Sequence, residues 1–221
     1  MMSNAPERPF WKSPLLWRTV MWIGVMAVIL GGTRFYAPGT EPADEAVGDE
    51  NVIADPVSYA QEIYEAQVVP NITDNAVDLV TLLDAIDADP EQAGAEHGHR
   101  NGDSPFSYPV RVTGTVVEGT FGEAGLEVEG TGDVTVGVQT GPAITGTAVR
   151  DATGLVTFEM FLNQIDFAAV ATELNNQVKS TVLAGTDFEA LLGSEVTVLG
   201  AFTYDDPAHI TITPIQIEAD Q

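Results

Sequence analysis

EVTVLGAFTYDDPAHITITPIQIE, residues 195–218, decides the fold. It reads as two long strands, 195–204 and 209–218, joined by a turn at Asp205-Asp206-Pro207 where an Asp side chain bonds its own backbone. Working upstream, Leu126 and Val128 alternate with Glu127 and Glu129, and Gly130-Thr131-Gly132-Asp133 turns the chain. Val134, Val136 and Val138 then return, which predicts a hairpin. Before it, Val110, Val112 and Val116 alternate with Arg111, Thr113 and Thr115, and Gly114 suits a bulge or a sharp bend. Some five strands bent at glycines, with a helix before the last pair, predict an α+β fold built on a small barrel of the oligonucleotide/oligosaccharide-binding (OB) type.

Between the hairpin and the last pair lies GVQTGPAITGTAVRDATGLVTFEMFLNQID, residues 137–166. The stretch begins as a strand, turns at Gly141-Pro142, extends again through Ile144, and is expected to enter a helix through Phe158, Phe161 and Ile165. Its densest polar cluster is Arg150 and Asp151 with Asn163 and Gln164. Polar groups in apolar surroundings need partners, so these four bond to one another or to a ligand. An Arg fork clamps a carboxylate or bonds sugar hydroxyls, with Asp, Asn and Gln completing the set and Phe161 or Tyr204 offering a stacking face. The plainer alternative is an Arg that ties the barrel to the following helix. Asp166 is the expected cap of a helix from Phe167 to about Lys179, with Val170, Leu174 and Val178 inward, and Phe188, Leu191 and Leu192 make a last helical turn before Gly193.

Ahead of the barrel, Asp55-Pro56 supplies an N-cap and a first-turn proline for a helix that Pro70 is expected to stop. Asp78 caps a second helix carrying Leu79, Leu82, Leu83 and Ile86. Asp89-Pro90 starts a short third one that Gly98 ends. These helices are too few for a core of their own and must pack on the strands downstream. The expected division is therefore 53–102 as a small helical subdomain and 103–221 as an OB-like barrel with an inserted helix.

The N-terminus reads differently. Arg8, Lys12 and Arg18 precede the uncharged run TVMWIGVMAVILGGT, residues 19–33. Its 15 residues reach about 22 Å as a helix, and Leu15, Leu16 and Trp17 extend the span if Arg18 snorkels. No convincing peptidase site comes after it, so residues 1–35 are expected to form an uncleaved transmembrane signal anchor with the basic flank in the cytoplasm. Residues 36–52, rich in Pro, Gly, Ala and acids, read as an acidic linker.

The 221 residues carry a net charge of −25, and beyond residue 34 only Arg100, Arg111, Arg150 and Lys179 oppose 32 acids. Such a body repels phosphate backbones, which excludes nucleic acid as a partner. The absence of cysteine removes disulfides, thiolate nucleophiles and Cys metal sites. Glu96-His97-Gly98-His99 has a chelating look, but only His209 is left elsewhere to help it, and a closed zinc site needs four ordered ligands. No metal, cofactor or catalytic residue is expected. There is no nucleophile elbow, phosphate loop or dinucleotide fingerprint.

Three groups of residues carry a family resemblance: Gln139-Thr140-Gly141-Pro142 with Gly146 to Asp151, Phe158 to Ile165 with Asn163-Gln164, and the closing Gly200-Ala201-Phe202 with Ile212-Thr213-Pro214. From about Val57 to Glu218 the chain resembles the bacterial periplasmic lipoproteins of domain-of-unknown-function family two-two-nine-one. The resemblance implies a helical subdomain on an OB-like barrel, a periplasmic location, and an accessory role beside sugar ABC transporters. It carries no catalytic residues. The sequence departs from a lipoprotein where the apolar run should end in Cys, since Gly31 is followed by Gly32. The membrane span is therefore expected to tether the body to the inner membrane. The expected function is a non-enzymatic accessory or binding protein, whose partners are the membrane, sugar transporter components or a small carbohydrate. An assembly module that binds a protein through the barrel face is the alternative, and a hydrolase using Asp151 would need a second carboxylate in a cleft.

Overall fold

A closed ring of hydrogen bonds organises the protein. The structure is a computed structural model describing residues 52–120 and 122–219. The anchor expected over 1–35 lies outside the described residues, as does the linker over 36–52 apart from its last residue. None of the described helices is long and apolar enough to cross a membrane.

Strands β2 (Ser107–Val117), β3 (Glu123–Glu127), β4 (Thr135–Gln139), β5 (Glu195–Thr203) and β6 (His209–Ala219) form the ring. Its order is β2-β3-β4-β6-β5, and β5 returns to pair with β2 from Ser107↔Thr203 to Thr115↔Glu195. Only β4 and β6 run parallel. A two-residue strand β1 (Val77–Asp78) lies parallel to β2 outside the ring. A five-stranded Greek-key barrel with its helix between the third and fourth barrel strands has OB topology, and closure leaves no long edge to template aggregation. Gly114 makes one bend possible. A Cβ there would stand 2.6 Å from the Glu127 carbonyl oxygen, so only glycine lets β2 pass that close to β3.

Asp55 opens the helical part, accepting bonds from the Val57 and Ser58 amides at 3.2 and 3.1 Å, with Pro56 next in α1 (Pro56–Ile63). The expected stop at Pro70 does not occur. The chain widens into a π turn, Tyr64–Val68, and continues as α2 (Val69–Asn75). Proline ordinarily lacks the donor a helix needs and crowds the carbonyl four residues back. In the π turn the Val69 amide instead reaches Tyr64, and the wider register leaves room for the ring. Helix α3 (Leu79–Ala88) is capped by Asp78, and α4 (Pro90–His97) by Asp89 with Gly98 closing it, as expected.

The central stretch departs from its expected helix. It forms α5 (Ala148–Asp151), a 3-10 turn Phe158–Met160, and an extended Phe161 before α6 (Gln164–Thr181). Asn163, and not Asp166, is the cap of α6: its side-chain oxygen accepts from the Ile165 and Asp166 amides at 2.9 and 3.0 Å. That geometry breaks the backbone where the 158/161/165 spacing alone would have continued a helix. The turn before Gly193 is a single one, with the Leu191 amide bonded to the Asp187 carbonyl.

Two cores result. Inside the barrel, Val112, Val138, Val198 and Ile212 meet Leu79 and Leu82 of α3, which plugs one end. On the outer face of β5 and β6, Leu199, Ala201 and Ile215 share a second core with Ile63 and Tyr64 and with Leu174 and Val178 of α6. The N-terminal helices thus divide between the two cores, α3 burying its apolar stripe on the barrel and α1 burying its own against α6 and the outer face.

Tyr108 stacks on Phe202 with ring centroids 5.5 Å apart and is 1% exposed. Burial, and next the nearby Glu91 carboxylate, push its phenol up to about 12. An unfolded tyrosine ionises near 10, so between about pH 10 and 12 the unfolded state loses a proton that the native state keeps. Stability is full below pH 10 and falls through that window. Urea unfolding across pH 8–12 is expected to show this loss, and Tyr108→Phe is expected to flatten it.

Candidate functional site

Arg150 and Asp151 sit on α5, which begins just after Gly146 at φ +85°. They are 5% and 7% exposed. Arg150 Nε donates to Asp151 Oδ1 at 2.7 Å and an η nitrogen donates to Oδ2 at 3.1 Å. Its other η nitrogen donates to the Phe167 carbonyl at 3.0 Å, and the guanidinium lies 3.6 Å from the centroid of the Phe167 ring. Asp151 is saturated in turn by Asn101 Nδ2 at 2.7 Å and Thr147 Oγ1 at 2.6 Å. Among the described residues no buried side-chain polar atom lacks a partner. The pair therefore ties the 99–106 loop, α5 and α6 together from within.

Asn163 and Gln164 do not join this pair. Asn163 spends its oxygen on the α6 cap and its amide on Asp166 at 2.9 Å. Gln164 is exposed at the start of α6 and borders a shallow groove with Val57 and Ile165. Phe161 is 5% exposed, with Tyr59 and Phe167 against it, and Tyr204 packs on the barrel core. The aromatics named in the sequence are thus used for packing. His97 ends α4, while His99 bridges to Ser107 and lies against Gly154.

The open site lies elsewhere, on the β3–β4 face. A groove of about 610 Å³ runs over this face, bordered by Glu118, Thr120, Glu127 and Thr131, with Glu123, Thr135 and His209 along it. Among the described residues no Lys or Arg lines it. Along its wall is a relay of four polar side chains from three strands. Thr135 Oγ1 lies 2.7 Å from His209 Nδ1, His209 Nε2 lies 2.9 Å from Glu123 Oε2, and Thr211 Oγ1 donates to Glu123 Oε1 at 2.8 Å. The parallel register sets Thr135 directly beside His209. Glu123 reaches them from the next strand because position 137 is glycine. A Cβ on Gly137 would collide with the Glu123 carboxylate and come within 3.4 Å of His209 Cε1.

Chemically, the relay holds an imidazole and a mostly buried carboxylate in fixed orientation at the edge of a donor-poor, acceptor-rich groove. Thr135 also bonds the Ala208 carbonyl, at 3.1 Å. The sequence did carry one signal for this site: a glycine inside a strand pattern marks close approach by another group. The contribution of His209 could not be read from spacing, because Glu123 and His209 stand 86 positions apart.

Removing the Arg150 guanidinium would leave the Asp151 carboxylate buried without its counter-charge, which costs about 3–5 kcal/mol. Arg150→Met is accordingly expected to lower the urea-unfolding free energy by about that amount. A change below about 1 kcal/mol would show that the pair does not hold the fold.

The same architecture occurs in a solved structure. Aligned with an OB-fold protein from Thermotoga maritima, solved by crystallography, the chain shows 26% identity and a TM-score of 0.59, over 75% of this chain and 98% of that one. A comparison with curated proteins returns no match. A family model described as "Predicted periplasmic lipoprotein (DUF2291)" matches residues 23–218, and the chain therefore belongs to that family of periplasmic proteins.

Proposed function

We propose that this is a non-enzymatic binding protein of the periplasm, held at the inner membrane by its N-terminal segment, whose barrel groove receives a small carbohydrate. Its accessory role in sugar uptake rests on the family resemblance. The supporting observation is the groove over β3 and β4. Its volume of about 610 Å³ suits a mono- or disaccharide, and it lies on the barrel face that OB folds use for saccharides and oligonucleotides. Its acceptors, Glu118, Glu123 and Glu127, match the hydroxyl donors of a neutral sugar, and the same charge turns away nucleotides and sugar phosphates.

A tether at the N-terminus also fits the composition. The family description is of lipoproteins, but this sequence has no cysteine to carry a lipid. The basic flank and apolar run over residues 8–33 supply an anchor of the other kind.

Thermal unfolding in the presence of neutral mono- and disaccharides tests the reading. A ligand at a hundred times its dissociation constant stabilises by about 2.7 kcal/mol. For a domain of this size that raises the melting point by about 5–10 °C. Glu118→Gln combined with Glu127→Gln, both at exposed positions, is expected to reduce the shift without lowering the melting point of the free protein. No shift with any sugar contradicts the proposal.

A further inference from the structure

We propose that the segment 158–165 and the start of α6 form a lipid-contacting face, with Leu162 and Ile165 seated at the headgroup boundary of a bilayer. The inference rests on the N-terminal tether of the proposed function. Leu162 is 74% exposed and Ile165 is 81% exposed, the two highest values among the exposed large apolar side chains of the described residues. Phe158 at 41% and Val57 at 42% belong to the same region. Val57 and Ile165 border one groove floored by Ala168 and Ala169 and lined further along by Thr172, Glu173 and Asn176, and Phe158 is held edge-on against Phe167, with centroids 5.8 Å apart. Scattered apolar side chains are ordinary on a protein surface, but a gathered set marks a contact. The inward stripe of α6 is already made by Val170, Leu174 and Val178, so the fold itself has no use for Ile165.

The occupant is indicated by where the chain enters. The Ile53 amide bonds the Met160 carbonyl at 2.9 Å, so the first described residues are fastened to the very turn that presents the patch. The apolar run ends at Thr33, and residues 34–52 separate it from the body. That length of chain can span at most about 65 Å. A face held that close to a bilayer meets it at high effective concentration, so a few apolar side chains suffice to seat it. Charge selects the kind of surface. Asp55, Glu159, Asp166 and, in the groove itself, Glu173 accompany the patch, and no Lys or Arg occurs in residues 52–60 or 155–176. The partner is therefore a zwitterionic lipid surface and not an anionic one.

Because the sequence has no cysteine, the full-length protein can be labelled at single positions. Nitroxides placed through Leu162→Cys, Ile165→Cys and, as a control, Leu192→Cys would be read in protein reconstituted into phosphatidylcholine vesicles and isolated by flotation. Leu192 is 47% exposed and precedes Gly193, whose amide bonds Val116 at the barrel. Circular dichroism confirms that each variant is folded. At 162 and 165 the labels are expected to collide more with dissolved oxygen than with a water-soluble nickel chelate, and the label at 192 is expected to do the reverse. Floating protein whose labels at 162 and 165 are water-accessible overturns this inference alone. Dipolar broadening between labels on different copies makes the occupant a second copy of the chain and also overturns it. Protein that does not float with the vesicles removes the tether and this inference together.

Discussion

The pairing of β2 with β5 is the constraint on which everything else rests. Nine residues of β2, Ser107 to Thr115, find partners on β5, and that ladder converts a meander and a distant hairpin into a cylinder. It satisfies two rows of backbone donors and acceptors that would otherwise face water or a neighbouring molecule. It also fixes which side of β5 looks inward. Val196, Val198 and Phe202 then fill the barrel while Leu199 and Ala201 face the outer core, and the register shift opposite Leu199 and Gly200 leaves Ile215 of β6 as the extra residue. The long connection from Gln139 of β4 to Glu195 of β5 is tolerated because Arg150 and Asp151 fasten it at one point and α6 packs it at another.

Polar chemistry is divided between two places with opposite characters. At Arg150 and Asp151 each named partner is protein, the charges meet at 2.7 Å, and the aromatic ring of Phe167 covers the guanidinium. An ion pair so enclosed has nothing left to offer a ligand, and its contribution is to hold one arrangement of the chain against others. Around Glu123 and His209 the polar groups are oriented by one another but remain at the wall of a groove. Preorganised groups that still reach solvent are what recognition requires.

Much of this architecture could be read from residue order, and the reasons differ by element. Period-two alternation marked the barrel strands where one face is buried and the other is not, as over 110–116 and 123–127, while the middles of β5 and β6 are buried on both faces and show it only at their ends. Asp55, Asp78 and Asp89 marked helix starts because a short carboxylate satisfies amides that a helix leaves bare. The passage through Pro70 was not legible, since a π turn depends on the packing of Tyr64 and Val68 against α6 and β5. The start of α6 was misplaced by three residues because Asn163 and Asp166 are both competent caps, and the 3-10 turn ahead of them decides between the two. Arg150, Asp151, Asn163 and Gln164 form a cluster in sequence only. In space the first two turn inward, the third caps a helix and the fourth faces solvent. The groove escaped because its members come from four strands, and pairing register, which no single strand displays, brings them together.

That the β3–β4 groove is the recognition surface is the central claim, and amide chemical-shift mapping of isotope-labelled protein during titration with a neutral disaccharide tests it most directly. The account predicts perturbations at Gly125, Thr135, Gly137 and His209, with the amides of Arg150 and Asn163 unmoved. Perturbations centred on Arg150, or none at saturating sugar, would contradict it.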